Sequence, residues 1–400
     1  MKGSPANTVL LRNVRAVLPQ RIIDSASILI HDGLIKRVLD SSTSDIPQAD
    51  SILDLKGLTL FPGFIDVHIH GAVGVDTMEA DANSLRKVSE FLAAQGVTAW
   101  MPTLVPAPQT DYERAVQAID ESIKEQGVGS NQGARVIGVH YEGPFVNTAQ
   151  CGALRSDYFR SFRSPSDVAE LPVPRNAIRM MTLAPEIEGG VELVKELGNR
   201  GWISSIGHTR ADLEVLDRAF NAGAHHLTHF MNAMPSLHHR SPGPVGWGLS
   251  RDDVTCDIIA DGVHLNSTML QLLLKLKTSE RLTLISDSIA AAGQGDGEYE
   301  IWGETISVKD GRTRNTRGSI AGSVITMLDA VRLMRSLGAS EMDVARISAT
   351  NPARLLRIYD RCGAIEEGKR ADLVALDESG NVRLTLVGGE IVFDRSTEVS

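Results

Sequence analysis

The stretch that decides the fold spans residues 62–71 and runs PGFIDVHIHG. Its Pro-Gly pair marks a turn, and the apolar residues from Phe64 onward favour a buried strand. His68 and His70 stand two positions apart at the end of that strand, so both imidazoles lie on the same face of it. A buried strand that ends in two histidines predicts the first strand of a parallel sheet, with a functional site beyond its carboxyl end.

Short apolar runs alternate with segments of helical period from about Gly57 to Ala364, which is typical of βα units in a parallel sheet. The runs predict eight strands, at residues 64–70, 97–104, 135–141, 179–184, 203–207, 226–230, 255–261 and 282–286. Eight strands with crossover helices in roughly 300 residues predict a (β/α)8 TIM barrel. An open doubly wound sheet is the alternative, although no G-x-G-x-x-G follows the first strand. Beyond the eighth strand we expect a loop around residues 295–297 and a helix over residues 323–337.

Both ends of the chain have a different pattern. Short alternating strands separated by turns such as Asp32-Gly33 occupy about the first 55 and the last 40 residues. We expect the two ends to meet and form one small β-sandwich domain beside the barrel. The predicted division assigns residues 57–364 to the barrel, and residues 1–56 and 365–400 to the small domain.

Composition and charge restrict the class of protein. A hydrophobic share of 42% and a charged share of 22% in 400 residues are those of a globular protein rather than a disordered or fibrous one. Lys and Arg number 40 against 50 Asp and Glu, and this net charge of −10 argues against a nucleic-acid partner. No run of about 18 apolar residues occurs, so we expect no membrane span and no signal peptide. Three isolated cysteines favour neither disulfides nor a thiolate zinc site, and they fit a cytoplasmic location.

Side chains that can bind a metal follow six of the eight predicted strands. They are His68 and His70 after strand one, Glu142 after strand three, His208 after strand five, His229 after strand six, His264 after strand seven and Asp287 after strand eight. Each has a structural explanation of its own; Asp287, for example, could simply cap the next helix. Because the carboxyl ends of barrel strands meet at one rim, the joint placement of these side chains predicts a metal site.

The chemistry of these side chains indicates the metal and the reaction. Neutral imidazoles with one or two carboxylates suit divalent zinc, iron, manganese or cobalt. Such an ion lowers the pKa of bound water and polarises a carbonyl, so we expect hydrolysis of an amide or ester by a metal-bound hydroxide. Asp287 is placed to take a proton from the water and to pass it to the leaving group.

Several further motifs extend along the chain. They are EGPF at residues 142–145, GHT at 207–209, THFMNAM at 228–234, LHHRSPG at 237–243, DGVH at 261–264, SD at 286–287 and AGS at 321–323. Together with residues 62–71 they resemble the amidohydrolase superfamily and, within it, the N-acetylglucosamine-6-phosphate deacetylase family. The resemblance covers nearly the whole chain. It implies an enzyme that releases acetate from N-acetylglucosamine 6-phosphate and leaves glucosamine 6-phosphate.

The resemblance also implies roles for the metal ligands. Many amidohydrolases bridge two metals with a carboxylated lysine on strand four, but residues 179–184 contain no lysine. By resemblance, Glu142, His208 and His229 hold the main metal, with zinc as the first candidate. His68 and His70, with Glu142 bridging, hold a second, so the resemblance implies one or two ions per subunit.

The remaining roles concern the substrate. His264 orients or polarises the acetamide carbonyl, and Asp287 acts as general base and then as general acid. The main-chain N–H groups of Asn232 and Ala233 bind the phosphate, together with an arginine from the neighbouring subunit at the position of Arg240. This implies a homodimer at least, with a tetramer as the alternative.

One position departs from the family. Where the family has Gly-Ala-His in contact with the sugar, this chain has Gly152, Ala153 and Leu154, so Ala153 is expected to bind substrate while Leu154 cannot donate a hydrogen bond. A lost polar contact costs about 1–3 kcal/mol. The alternatives therefore stay open: deacetylation of N-acetylgalactosamine 6-phosphate, hydrolysis of another small amide, or a catalytically silent protein that binds a sugar phosphate.

Overall fold

The structure is a computed structural model, and it describes residues 8–40, 47–126 and 132–395 of the chain. Parts of the predicted small domain, at residues 1–7, 41–46 and 396–400, lie outside the described residues. The described residues form a parallel barrel and a separate sheet that combines both ends of the chain.

The barrel consists of parallel strands from the middle of the chain. Their bounds are Phe64–Ile69, Val97–Leu104, Arg135–Val136 with Gly138–Glu142, Ile178–Leu183, Ile203–Ile206, His226–Leu227, Thr255–Ile259 and Leu282–Ile285. Each strand pairs with the next along the chain, and the third is interrupted at Ile137. Inward side chains such as Val67, Met101 and Ile259 fill the interior. The predicted TIM barrel is confirmed.

Individual hydrogen bonds, rather than a continuous β-sheet ladder, connect the described residues of the eighth strand to those of the first. The N–H of Asp287 donates to the carbonyl of His68 at 2.9 Å. The hydroxyl of Ser286 donates to Asp66 Oδ2 at 2.5 Å, and its N–H to Asp66 Oδ1 at 3.3 Å. Burial raises the pKa of Asp66 to about 7, against the opposing effect of the Ser286 hydrogen bonds. This seam places the last residue of the predicted site beside the first.

Helices cover the outside of the barrel. Their bounds are Ala82–Ala94, Gln109–Glu125, Ser166–Ala169, Gly190–Asn199, Leu213–Ala222, Gly243–Ser250, Ser267–Leu276, Met327–Ser336, Glu341–Ala345 and Asn351–Leu355, with 3-10 turns at Thr148–Gln150 and Ser156–Tyr158 and a π turn at Arg346–Thr350. The helix predicted from residue 323 begins at Met327, because Thr326 forms a capping box with Asp329. Ser323 instead donates its hydroxyl to the carbonyl of Ser286. In the described part of the chain, no helix has the length and apolar character that crossing a membrane requires.

The two ends of the chain share one eight-stranded sheet. Its strands are Thr8–Val17, Ile22–His31, Leu34–Asp40, Ser51–Asp54, Thr59–Pro62, Leu373–Leu376, Val382–Val387 and Glu390–Asp394. The ends join where Thr59–Pro62 pairs antiparallel with Leu373–Leu376. Buried side chains from both halves, such as Leu11 and Leu384, belong to one core. The predicted joining of the termini is confirmed, whereas the domain boundaries at residues 57 and 364 stay a prediction.

Two smaller sheets follow barrel strands. A two-stranded ribbon, Gly71–Ala72 with Val75–Asp76, follows the first, and a three-stranded antiparallel sheet, Gly297–Ile301, Glu304–Lys309 and Arg312–Asn315, follows the eighth. The loop predicted around residues 295–297 therefore ends earlier, since a strand begins at Gly297. The turns Trp302-Gly303 and Asp310-Gly311 have positive φ at both residues, which suits two-residue hairpin loops.

Asp372 joins the terminal sheet to the barrel. Its carboxylate accepts hydrogen bonds from Arg135 at 2.8 Å, from Arg370 at 3.2 Å and from the N–H of Gly388 at 2.7 Å. Burial acts to raise the pKa of Asp372, but the two arginines hold it below its ordinary value. The carboxylate is therefore charged, buried and fully partnered.

We expect Asp372→Asn to lower the free energy of unfolding by about 3 kcal/mol, because it leaves Arg135 and Arg370 without their buried counter-charge. Asp54→Asn, which breaks an exposed pair with Arg12, should have a smaller effect. Urea unfolding of both variants checks this. Since the folded-state pKa of Asp372 is lowered, its contribution should shrink as the pH falls below about 3.9. Equal effects of both substitutions at neutral pH would contradict a junction role.

Candidate active site

Three of the predicted site residues have left-handed backbone directly after their strands. The φ angles are +48° at His208, +30° at His229 and +49° at Asp287. Such a conformation costs a non-glycine residue on the order of 1–3 kcal/mol and persists only where the surroundings enforce it. At His229, the N–H donates to the carboxylate of Asp257, which in turn contacts the buried His226. The strand ends therefore turn sharply and hold these side chains over the barrel mouth.

The carboxylate of Glu142 lies at the centre of the site. Its Oε1 is 2.9 Å from His208 Nε2, 3.0 Å from His229 Nε2 and 3.5 Å from His68 Nε2. Its Oε2 is 3.4 Å from His70 Nε2. Burial acts to raise the pKa of Glu142, but the surrounding imidazoles hold it well below its usual range. One charged carboxylate thus contacts four histidines.

The possible ligand atoms fall into two groups, each with three atoms within 4.8 Å of one another. Their members are Glu142, His208 and His229 in the first group, and His68, His70 and Asp287 in the second. The predicted ligands therefore come together. Asp287, to which the resemblance assigns proton transfer rather than metal binding, also lies in ligand range, with Oδ1 3.3 Å from His68 and 3.2 Å from His70.

The donor set fits a divalent metal. The Nε2 atoms of His208 and His229 are 3.1 Å apart, and those of His68 and His70 are 3.2 Å apart. Two imidazole nitrogens this close share a proton or face a cation, because their lone pairs repel. His208 Nδ1 lies 2.7 Å from the carbonyl oxygen of Gln150 and so carries the proton, which leaves Nε2 free to bind a metal. Imidazoles with carboxylates are the ligands of zinc and related ions.

Two of these histidines have strongly raised pKa values. Burial acts to lower the pKa of His70, but Asp287 and Glu142 outweigh it and raise the pKa to about 10. Burial also acts to lower the pKa of His229, but the contact with Glu142 outweighs it and raises the pKa to about 9. Both imidazoles are therefore protonated at neutral pH when no metal is bound.

A cavity of about 290 Å³ opens above the two groups. Beside the ligands, its walls include Ala153, Leu154, Asn232, Ala233 and His264. The predicted substrate residues thus share one cavity with the predicted ligands, while their individual roles stay predictions.

Some of these residues have their orientation determined by neighbours. His264 Nδ1 lies 2.7 Å from Asp261 Oδ2, so the ring is held and Nε2 is left for a ligand. The N–H of Asn232 donates to the carbonyl of His229 at 2.9 Å, and its role as a phosphate donor stays a prediction. The N–H of Ala233 has no hydrogen-bond partner within the described ranges, and its φ is +50°. Ala233 is therefore the available main-chain donor at this step.

Arg240 is not among the residues that line the cavity. It lies exposed in the loop before the helix Gly243–Ser250, with its guanidinium 2.9 Å from His239 Nε2. A single chain does not bring this arginine to the other predicted substrate residues.

Trp302 is a site residue that sequence reasoning missed. It lies at a hairpin turn of the three-stranded sheet, lines the cavity and meets the ring of His70 edge-on, with centroids 5.1 Å apart and planes at 79°. Ser319 and Ile320, in the loop that follows this sheet, line the same cavity. The Trp-Gly turn predicts a hairpin but does not indicate where the hairpin packs.

The barrel and the donor set together define a metal-dependent hydrolase. The model of the amidohydrolase family matches residues 59–392. The chain is 35% identical over 394 residues to the N-acetylglucosamine-6-phosphate deacetylase of Bacillus subtilis strain 168, covering 97% of this chain and 98% of that protein. The chain therefore belongs to the amidohydrolase family and, within it, to the N-acetylglucosamine-6-phosphate deacetylase family.

Two further relatives are similar over nearly the whole length. The N-acetylgalactosamine-6-phosphate deacetylase of Escherichia coli O157:H7 is 33% identical, over 96% of this chain and 99% of that protein. A structure of the Mycobacterium smegmatis N-acetyl-D-glucosamine-6-phosphate deacetylase, a mutant in complex with N-acetyl-D-glucosamine-6-phosphate, superimposes with a TM-score of 0.87. It is 29% identical and covers 96% of this chain and 99% of that one.

We expect metal affinity to rise with pH from about 6 to about 9. A metal binds only neutral imidazole, and His229 and His70, with pKa values of about 9 and about 10, must each lose a proton to bind. Binding of each ion then releases one proton, so the affinity of the protein for that ion rises about tenfold for each unit of increasing pH. Competition between the protein and a coloured chelator for Zn²⁺ at several pH values measures the slope. Replacing the exposed His238 with Gln is the control, and an affinity independent of pH would contradict the assignment.

Proposed function

We propose that this protein hydrolyses the acetamide of N-acetylglucosamine 6-phosphate to glucosamine 6-phosphate and acetate. The observation that carries the proposal is the Glu142 carboxylate, which joins two groups of metal ligands at the base of one cavity. Relatives over 97% and 96% of the chain are deacetylases of hexosamine 6-phosphates, which supports the substrate class.

The proposed cofactor is zinc, with iron, manganese and cobalt as alternatives that suit the same donors. Glu142, His208 and His229 would hold the main ion, and His68 and His70, with Glu142 bridging, would hold a second. When bound, the metal lowers the pKa of a water molecule and polarises the acetamide carbonyl.

Asp287 is the proposed proton-transfer residue. Its side chain faces the cavity beside His68 and His70. The carboxylate takes a proton from water as the water oxygen bonds to the acetamide carbon, and it delivers that proton to the nitrogen as the C–N bond breaks. Asp287 thereby regains its starting charge, and the products are the amine and acetic acid, which loses its proton to become acetate.

His264 and the main chain at Ala233 are proposed to position the substrate. The bond from Asp261 to His264 Nδ1 holds the ring, so Nε2 is the atom that meets the acetamide carbonyl. The free N–H of Ala233 is the donor we assign to phosphate, which is well bound by main-chain N–H groups together with a guanidinium. Ala153 forms part of the wall against the sugar.

N-acetylgalactosamine 6-phosphate is the second candidate substrate. Leu154, which is 3% exposed, lines the cavity where the family has a histidine, and one relative carries this activity in its name. The ratio of acetate release from the two sugar phosphates separates the candidates.

We expect metal-replete protein to release acetate from N-acetylglucosamine 6-phosphate, and Asp287→Asn to lower kcat by about 10²–10⁴-fold. The variant should retain metal at Glu142, His208 and His229, which elemental analysis checks. Asp360→Asn, on an exposed side chain, is the matched control. An unchanged rate in Asp287→Asn would overturn its role, and no release from either sugar phosphate would overturn the substrate in favour of another small amide or a silent sugar-phosphate binder.

We also propose a homodimer, or a tetramer, in which Arg240 reaches the active site of the neighbouring subunit. Its exposure and its absence from the walls of the cavity in its own chain support this arrangement. A guanidinium provides the paired donors that phosphate needs.

Mixing two defective variants tests the sharing. Arg240→Met and Asp287→Asn should each be weakly active alone. After subunit exchange, half of the dimers contain one chain of each variant. In such a dimer the site of the Arg240→Met chain is complete, because it keeps its own Asp287 and receives Arg240 from the Asp287→Asn chain. We therefore expect about a quarter of the wild-type activity per chain. No recovery, with exchange confirmed by mass spectrometry, would mean that Arg240 does not act across the interface.

A cytoplasmic location is part of the same proposal. Cys151, Cys256 and Cys362 are all free thiols, as expected in a reducing compartment.

A further inference from the structure

A second cavity, of about 510 Å³, opens at the opposite end of the barrel from the active site. Its walls contain residues at the amino ends of strands five to eight, among them Ser204, His226, Thr255 and Thr283. The active-site ligands, by contrast, follow the carboxyl ends. None of the residues assigned to deacetylation contributes to this cavity.

The charge of this lower cavity is positive. Arg281, Arg354 and Arg357 line it, against the single carboxylate of Glu280. That carboxylate is itself paired, 3.2 Å from Arg346 Nε and 3.9 Å from Arg354 Nη1. In a chain of net charge −10, an excess of arginines around one cavity favours an anionic ligand.

The arginines are partly preorganised. The Arg354 guanidinium stacks over the ring of Tyr359 at 4.8 Å, and Arg281 Nε donates to the carbonyl of Asp252. Arg357 follows the helix Asn351–Leu355 with φ +58°, a position where glycine is usual. Its side chain has no ion pair or hydrogen bond within the described part of the chain, so its charge is available to a ligand.

The inner wall holds hydroxyl groups without partners. Ser204 is 6% exposed and Thr283 is 1% exposed, and both line the cavity. Neither hydroxyl makes a hydrogen bond among the residues that the structure describes, so each can pair with a molecule in the cavity. Two such hydroxyls in the same cavity as three arginines suit a polar, anionic ligand.

We propose that this lower cavity binds a small phosphorylated molecule, separately from the active site. Arg281, Arg354 and Arg357 would bind the phosphate, since guanidinium groups match its oxygens in pairs. Ser204 and Thr283 would bind hydroxyls of the attached group. The volume lies within the range of about 300–1,000 Å³ that is typical of small-molecule sites. The proposal is independent of the deacetylase activity.

Calorimetric titration of the metal-replete protein tests the site, with inorganic phosphate and glucose 6-phosphate as probes. Glucose 6-phosphate has no amide and cannot be hydrolysed by deacetylation. Arg357→Gly is the informative variant, because glycine suits the left-handed backbone and the substitution removes only the side chain. We expect it to weaken glucose 6-phosphate binding at least about tenfold, the effect of one charge-assisted hydrogen bond. The thermal midpoint of the free protein should not fall.

Two controls make the result specific. Arg361→Gln removes an exposed arginine outside the cavity and should leave binding unchanged. Binding that survives Arg357→Gly but is lost in Arg240→Met would place the probe at the active site and overturn the proposal. No binding of either probe in the millimolar range would also overturn it. Tighter binding of glucose 6-phosphate than of phosphate, lost in Thr283→Val, would support the hydroxyl contacts, whereas equal binding of both probes would overturn that part.

Discussion

The contact between the Glu142 carboxylate and four imidazoles holds the active site together. All four ring nitrogens lie within 3.5 Å of its two oxygens, in a buried space. Without this charge, the Nε2 atoms of His208 and His229, 3.1 Å apart, would lose the carboxylate oxygen that they share. Glu142 also contributes to the raised pKa values of both His70 and His229, together with Asp287 at His70, so this carboxylate affects both the arrangement of the donors and the protons that a metal must displace.

The backbone brings the other ligands to that carboxylate. Left-handed residues at the ends of strands five, six and eight turn the chain over the barrel mouth, and the seam between Ser286 and Asp66 aligns the eighth strand with the first. The stability of the barrel compensates for this local strain. The loops above the rim contribute Leu154 and Trp302 to the cavity wall, and neither residue belongs to the two groups of possible metal ligands.

Much of this arrangement was predictable from periodicity and from residue types at strand ends. The eight strands and the meeting of His68 with Glu142 follow from the rule that strand ends share a rim. Contacts to which the shared rim of the strand ends does not apply were harder to predict, because a periodic pattern reports the burial of its own segment only. Trp302 comes to His70 through a separate sheet, and the engaged N–H of Asn232 depends on a local turn. The role that we propose for Arg240 requires a second chain.

The terminal sheet has a consequence for synthesis on the ribosome. The strand Thr59–Pro62 is made long before its partner Leu373–Leu376 and the strand Glu390–Asp394 of the same sheet. During translation the early strands therefore present an open edge that can pair with another nascent chain. The helices and strands between the two partners form while that edge is still unpaired. Truncations that remove Leu373–Leu376 should therefore cause aggregation, even though they leave every metal ligand in place.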